Sequence, residues 1–220
     1  MRKLMVLALG LAVFAAVASA GTSNAVFAYS DGGVQLQLTD SLSNVTTISG
    51  VAGWLDQYGD NGGGNNFIAG VCGSSDSCRG DDLNRNDFFI FSPASAIYVS
   101  AVLLAPVDSN GVISPNPTVP FTLYDYLGSV SDLTGVAAYL DLGQGVVYGS
   151  RTFSVADNST TVSISLDAAA LSAINGAAAN GAQFVAGGAV GSSSSSVPEP
   201  VSMALCGLGL AGLAFVRRRR

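Results

Sequence analysis

An apolar segment beside basic residues stands near each end of this 220-residue sequence, and the two segments confine a folded domain to the residues between them. In the first segment, two basic residues precede an apolar run over 4–17. Small residues at Ala18 and Ala20 then form the site that a signal peptidase reads, which predicts cleavage before Gly21. Residues 1–20 are therefore interpreted as a cleavable signal peptide. A retained membrane helix is the alternative, although the apolar run is short for one.

The second segment joins three elements in a fixed order. They are a proline-flanked acidic motif (Val197, Pro198, Glu199 and Pro200), an apolar run (201–216) and a basic cluster (Arg217, Arg218, Arg219 and Arg220). As a helix rising about 1.5 Å per residue, the apolar run measures about 24 Å, slightly less than the hydrocarbon core of a bilayer. Because basic residues stay on the cytoplasmic side, the run predicts a C-terminal transmembrane helix with the body outside.

These three elements in this order resemble the PEP-CTERM sorting domain of Gram-negative bacteria. In that family the tail implies recognition by exosortase, a membrane enzyme that cleaves near the motif and passes the protein onward. The resemblance implies that 197–200 is the recognition motif, 201–216 the membrane helix and 217–220 the cytoplasmic stop. It also implies exosortase and signal peptidase as partners, a transient stay in the inner membrane, and a final location at the cell surface or outside the cell. A plain tail anchor is the alternative.

The sequence between the two segments is acidic and rich in glycine. We assign residues 21–191 to one extracellular domain, 192–196 to a serine linker and 197–220 to the sorting tail. From 21 to 196 there are fourteen aspartates, no glutamate and three arginines, a net charge of −11. A body with this charge is repelled by nucleic acid and by anionic lipid, so neither is an expected partner.

Alternating apolar and polar residues predict an all-β fold for the body. Every second residue is apolar at 34–38 and again at 162–166, the pattern of half-buried strands. The runs 88–91 and 97–105 are apolar almost throughout, which predicts strands that are buried on both faces. Turns rich in Gly, Asn, Asp and Pro separate these segments. The combination is typical of an antiparallel β-sandwich, here predicted to be of the jelly-roll type.

The last third of the body departs from this pattern at one place. The alanine-rich segment 168–179 predicts one short helix, with Asp167 as its N-cap and a break at Gly176. A closing strand is predicted over 183–189. The whole stretch 135–189 resembles the end of bodies that often precede PEP-CTERM tails, and this resemblance implies an all-β extracellular domain with no assigned reaction.

Cys72 and Cys78 are the two cysteines of the exported body. The compartment outside the inner membrane is oxidising, so a disulfide between them is expected. Closing so short a loop stabilises a fold by about 2 kcal/mol in the chain-entropy view. A metal site is the alternative, but the sequence has no His and no further body Cys to complete one.

A weaker candidate site is a polar run before the apolar segment 88–91. Asp82, Asn84, Asn86 and Asp87 have the spacing at which a calcium loop begins, and oxygen ligands suit Ca²⁺. The glycine and glutamate that an EF-hand requires later in the loop are missing, so an EF-hand is excluded. A looser calcium site and an ordinary polar turn both remain open.

The sequence contains no recognisable catalytic group of residues. The absence of His removes Ser-His and Cys-His dyads, and neither a nucleophile elbow nor a Walker loop is present. A pair of aspartates facing each other across a glycosidic bond is the one enzymatic arrangement left open. We therefore expect the protein not to be an enzyme and to need no cofactor.

The function that this pattern favours is that of an exported structural protein at the cell surface or in the extracellular matrix. The alternative is a carbohydrate-binding module acting on exopolysaccharide, since aromatic side chains stack on sugars. The aromatic candidates for such stacking are Trp54, Tyr58, Tyr124, Tyr126, Tyr139 and Tyr148.

Overall fold

The computed structural model describes residues 25–29, 33–63, 65–71, 81–114 and 116–191, and antiparallel strands dominate them. The strands are β1 (Ala25–Tyr29), β2 (Gln35–Asp40), β3 (Val45–Ser49), β4 (Val51–Asp56), β5 (Asn61–Gly63), β6 (Asn66–Val71), β7 (Asn84–Phe91), β8 (Tyr98–Pro106), β9 (Val112–Ile113), β10 (Val119–Asp125), β11 (Val147–Phe153), β12 (Thr161–Ser165) and β13 (Phe184–Val190). Helix α1 (Gly135–Leu142) precedes β11, and helix α2 (Ala168–Asn180) precedes β13. The predicted all-β class is confirmed.

The strands form two antiparallel sheets. The larger sheet has the order β11-β10-β13-β7-β6-β1-β9. Strand β4 lies outside this order and pairs with both β7 and β5. The smaller sheet has the order β12-β8-β2-β3. Strand β7 is the branch point of the larger sheet: β4 pairs along one of its sides, while β13 and β6 pair with successive parts of the other.

One hydrophobic core draws on both sheets. Leu36 and Leu38 of β2 are fully buried in it, and the polar residues between them are not, so the predicted alternation is confirmed. From the larger sheet, Phe89 and Phe91 of β7 join the same core. The burial of these apolar faces is the main stabilising contribution to a fold of this kind.

A second, smaller core lies on the opposite side of β7. Phe88 and Ile90 pack there against Tyr139 and Leu142 of α1. Successive side chains of a strand point to opposite faces, so β7 supplies both cores in turn. The prediction that 88–91 is buried on both faces is therefore confirmed.

The same prediction for 97–105 is wrong. From Ala101 onward, buried residues of β8 alternate with partly buried ones. Near its start, Val99 is 54% exposed, and Ile97, directly before the strand, is 71% exposed. Strand β8 belongs to the smaller sheet, and only one of its faces turns toward the core. Apolar residues also occur on the other face, so an almost continuous apolar run does not require burial of both faces.

The predicted helix 168–179 is confirmed within one residue at its end, and the predicted break at Gly176 is wrong. Asp167 accepts hydrogen bonds from the amides of Ala169 and Ala170, at 2.9 and 3.0 Å, as an N-cap does. The helix then continues through Gly176, because a glycine inside a helix costs only about 1 kcal/mol. It ends at Gly181, whose φ of +62° provides the left-handed C-cap.

The chain crosses from the smaller sheet to the larger one at Gly50, between β3 and β4. A Cβ at this position would stand 2.3 Å from the ring of Phe91, so no larger residue fits the corner. Within the described part of the chain, no helix is long and apolar enough to cross a membrane. The predicted signal helix and tail helix lie outside the described residues.

Candidate functional site

An open groove of about 600 Å³ runs beside α1. It is lined by Tyr126, Gly128, Asp132, Thr134, Ala137, Ala138, Leu140, Asp141 and Gln144. One continuous stretch of chain therefore builds the whole groove: the segment that leaves β10, a short 3-10 turn, and α1 itself.

Hydrogen bonds hold the leading segment of the groove in place. Asp141 of α1 accepts a hydrogen bond from the amide of Leu127 at 2.9 Å. In the 3-10 turn, Asp132 accepts from the Ser129 amide at 3.2 Å and from its hydroxyl at 2.6 Å, which closes a capping box. The Asn61 side chain donates to the Leu133 carbonyl at 2.9 Å and so ties the turn to β5.

The groove carries negative charge around a tyrosine hydroxyl. Partial burial raises the pKa of Tyr126, and the neighbouring carboxylates of Asp132 and Asp141 raise it further. The hydrogen bonds from Ser129 lower the pKa of Asp132, so its carboxylate stays ionised at neutral pH. The described lining of the groove contains no basic side chain. These groups accept hydrogen bonds and repel anions, so they suit a neutral polyhydroxyl ligand or a cation.

The structure separates the aromatic residues that sequence analysis grouped together. Trp54, Tyr139 and Tyr148 are buried in the fold and present no ring to a ligand. Tyr58 is 65% exposed, and Tyr126 is half-buried in the groove. Tyr124 is half-buried on β10. Of these six, only Tyr126 lines the groove.

The four residues of the weak calcium candidate do not meet on one side of the chain. Asn84, Asn86 and Asp87 lie within β7 rather than in a loop, and Asp82 lies two residues before that strand. The Asn86 side chain donates to the Tyr139 carbonyl at 2.8 Å, while Asp87 points to the opposite face of the sheet. Among the described residues no cluster of three His, Cys, Asp or Glu side chains is placed to hold a metal ion.

Strand β7 itself carries a buried charged cluster that includes Arg85 and Asp87. The Arg85 side chain is 1% exposed, pairs with Asp81, donates to the Leu83 carbonyl at 3.2 Å, and lies over the Trp54 ring at 4.8 Å. Asp87, two residues along the same face, is fully buried, and its carboxyl oxygens have no hydrogen-bond partner in the described structure. Burial raises the pKa of Asp87 well above its usual value, and a contact with the Ile68 backbone too weak to count as a hydrogen bond does not offset this.

The other candidate residues lie outside the described part of the chain. These are the cleavage residues Ala18, Ala20 and Gly21, the cysteines Cys72 and Cys78, the motif 197–200 and the basic cluster 217–220. Their assignments stay predictions from the sequence.

Comparison with known families bears directly on the tail. Residues 196–220 match the family model of the PEP-CTERM protein-sorting motif. The motif defines a class of proteins that are exported and sorted at the membrane toward the cell surface, and this chain carries it. Sorting in this class depends on exosortase. No curated protein and no solved structure is similar enough to the chain to count as a match.

Proposed function

We propose that the protein is a structural component of the cell surface or extracellular matrix, delivered by its signal peptide and released or transferred through its tail. The observation that carries the proposal is the match of 196–220 to the sorting motif. The acidic, strand-rich body supports it, because a net charge of −11 suits a soluble domain outside the cell. We take the two sheets to be the layers of a β-sandwich, and the proposal assigns no reaction to this domain.

The proposal gives each part of the tail a separate role. The prolines around Glu199 exclude helix and hold the motif extended for exosortase. The apolar run 201–216 then holds the protein in the inner membrane only until processing, with the arginines 217–220 on the cytoplasmic side. The signal peptidase removes residues 1–20 at the other end.

Deleting 198–200 tests this proposal in the native host. We expect the deletion variant to keep the mass of residues 201–220 and to stay in the inner membrane, whereas the unaltered protein loses that mass and leaves the membrane. The matched control deletes three serines, 193–195, from the linker. Intact-mass measurement after cell fractionation decides the matter: equal mass and location for both deletions contradict the proposal.

A second candidate function rests on the groove beside α1. Its tyrosine ring, flanked by two carboxylates and by Gln144, offers a stacking surface and hydrogen-bond acceptors together, which is what a sugar ring needs. Because the groove is anionic, the ligand we propose is a neutral exopolysaccharide rather than an acidic one.

Retention of the protein on immobilised polysaccharides tests this second function. We expect retention on neutral polymers and none on uronic-acid polymers. Tyr126→Leu should lower retention at least about tenfold, a loss typical of removing one stacking contact. Tyr58→Leu is the matched control, since Tyr58 is exposed but does not line the groove. Equal loss for both variants, or no retention of the unaltered protein, rules the groove out.

A further inference from the structure

The two outer strands of the smaller sheet differ in how their outward backbone groups are covered. On β12, the guanidinium of Arg151 donates to the Ser163 carbonyl at 3.4 Å, so a charged side chain lies across this edge. On β3, no hydrogen bond within the described residues reaches the outward side, and β2 is its strand neighbour on the other side. The smaller sheet therefore has one covered edge and one open edge.

Hydrogen bonds on both sides of β3 establish which of its backbone groups face β2. Before the strand, the Asp40 amide donates to the Asn44 carbonyl at 3.0 Å. After it, the Gly50 amide donates to the Val34 carbonyl at 2.9 Å. In an antiparallel pair the bonded residues alternate with non-bonded ones. Counting in steps of two from Asn44 to Gly50 gives the residues of β3 that bond to β2.

The residues of β3 that do not bond to β2 are Val45, Thr47 and Ser49. Each of them directs its backbone N–H and C=O away from the sheet. Their side chains are exposed as well. The pairing of β2 with β3 is regular throughout, without a bulge to twist this edge away. The edge is thus a regular row of backbone donors and acceptors that no other described residue bonds, the form to which another strand adds.

Nothing in the local sequence protects the edge. Residues 41–55 contain no charged side chain and no proline, which are the usual means of preventing strand addition. Apolar side chains flank the strand instead: Leu42 is 80% exposed and Val51 is 55% exposed. On an acidic body, an uncharged and apolar-flanked edge is a surface on which two copies can meet without charge repulsion.

We propose that β3 pairs with β3 of a second copy of this chain, antiparallel, about a two-fold axis at Thr47. This register places Val45 opposite Ser49 and Thr47 opposite its own copy, so the strand is complementary to itself. Each outward residue then exchanges two backbone hydrogen bonds, up to about six in all. The two four-stranded sheets become one continuous sheet across the axis.

Cysteine cross-linking tests the pairing with the full chain in the host cell envelope. Bonded residues opposite each other have Cα atoms about 5.5 Å apart, within the range that a disulfide spans. Thr47→Cys should therefore give a covalent dimer on mild oxidation. The matched control is Ser163→Cys, on the covered edge of the same sheet, which should stay monomeric; both variants keep the native cysteines.

A charge at the axis supplies the second measurement. Thr47→Lys brings two like charges opposite each other and should weaken dimerisation of the full chain in detergent at least about tenfold by analytical ultracentrifugation. Ser163→Lys should leave the dimer unchanged, and unaltered melting temperatures show that both variants fold. Equal cross-linking at both edges, or a dimer that Thr47→Lys does not weaken, overturns the proposal.

Discussion

The two arginines of the described structure make the same set of contacts in opposite surroundings. Each pairs with an aspartate and lies over an aromatic ring: Arg85 with Asp81 over Trp54, and Arg151 with Asp157 over Phe153. The Arg85 side chain is 1% exposed, whereas that of Arg151 is 32% exposed. The aspartates differ in the opposite sense, since the Asp81 side chain is 32% exposed and that of Asp157 is 15% exposed. The two guanidinium groups therefore differ in burial although their contacts are alike, and replacing them should affect stability differently.

The expected difference in stability follows from how far water reaches each arginine. Around Arg151, water screens the pair with Asp157, at 2.6 Å, and an exposed pair of this kind contributes less than about 1 kcal/mol. Around Arg85, the strands β4 and β7 exclude water, so the guanidinium depends on the protein for its partners. A buried charge that loses its partners costs several kcal/mol, although forming the pair contributes little net stability.

The largest effect is expected from Arg85→Met. The change removes two hydrogen bonds from a charged donor, to the Leu83 carbonyl and to Asp81, and the contact with the Trp54 ring. We expect a loss of about 3 kcal/mol in the free energy of unfolding, because each hydrogen bond of a charged group contributes about 1.5–3 kcal/mol. Urea denaturation followed by tryptophan fluorescence measures it, since Trp54 is the single tryptophan. Arg151→Met is the matched control, with a loss below about 1 kcal/mol. Similar losses for the two variants would contradict the expected effect of burial.

An intermediate effect is expected at Asp87, the carboxyl on the same face as Arg85. Burial raises its pKa in the folded protein, so the folded state holds a proton that the unfolded state releases above the ordinary value of 3.8. Stability should then fall as pH rises from about 4 toward the folded pKa, by about 1.4 kcal/mol per pH unit. Asp87→Asn should abolish this slope in urea denaturation at several pH values. A slope that survives the substitution would assign it to another group.

The smallest effect is expected at the partly exposed pair of Arg151 and Asp157. Burial raises the pKa of Asp157, but the hydrogen bonds from Ser154 and Arg151 outweigh it, and the pKa lies below 3.8. Its contribution is therefore present above about pH 4 and lost as pH falls further, opposite in sign to that of Asp87. A double-mutant cycle of Arg151→Met and Asp157→Asn should give a coupling of about 0.5 kcal/mol at pH 7. A coupling above about 2 kcal/mol would show the pair to be as isolated from water as Arg85.

The parts of the fold that the sequence predicts are those where one strand has two different faces. At 34–38 the apolar residues face the core and the polar residues do not, so the alternation in the sequence predicts the strand correctly. At 97–105 the pattern misleads, because the apolar residues Ile97 and Val99 are exposed where β8 begins. The sequence does not predict helix α1, because the helix is short, begins at Gly135 and is followed directly by Gly143. Its stability comes from packing Tyr139 and Leu142 against Phe88 and Ile90 of β7.

The candidate site was beyond prediction for a different reason. Sequence analysis counted fourteen aspartates but contained no signal for the two that flank Tyr126. Their position depends on where α1 folds back on the strand before it. The placement of Arg85 over Trp54 likewise depends on the register between β4 and β7, a pairing of residues about 30 positions apart. The first arrangement comes from the way a short stretch of chain folds back on itself and the second from a long-range strand pairing, and the alternation of apolar and polar residues records neither.

The position of β13 determines how the domain bears mechanical load. Strand β13 lies between β10 and β7, and it is the last strand before the linker and the tail. Directly after it, the Gly191 amide donates to the Pro120 carbonyl at 2.9 Å. A pull transmitted along the tail therefore acts on a strand held on both sides, and its hydrogen bonds share the force in shear rather than opening one after another. A processing enzyme that pulls on the tail therefore acts on a domain that resists extraction.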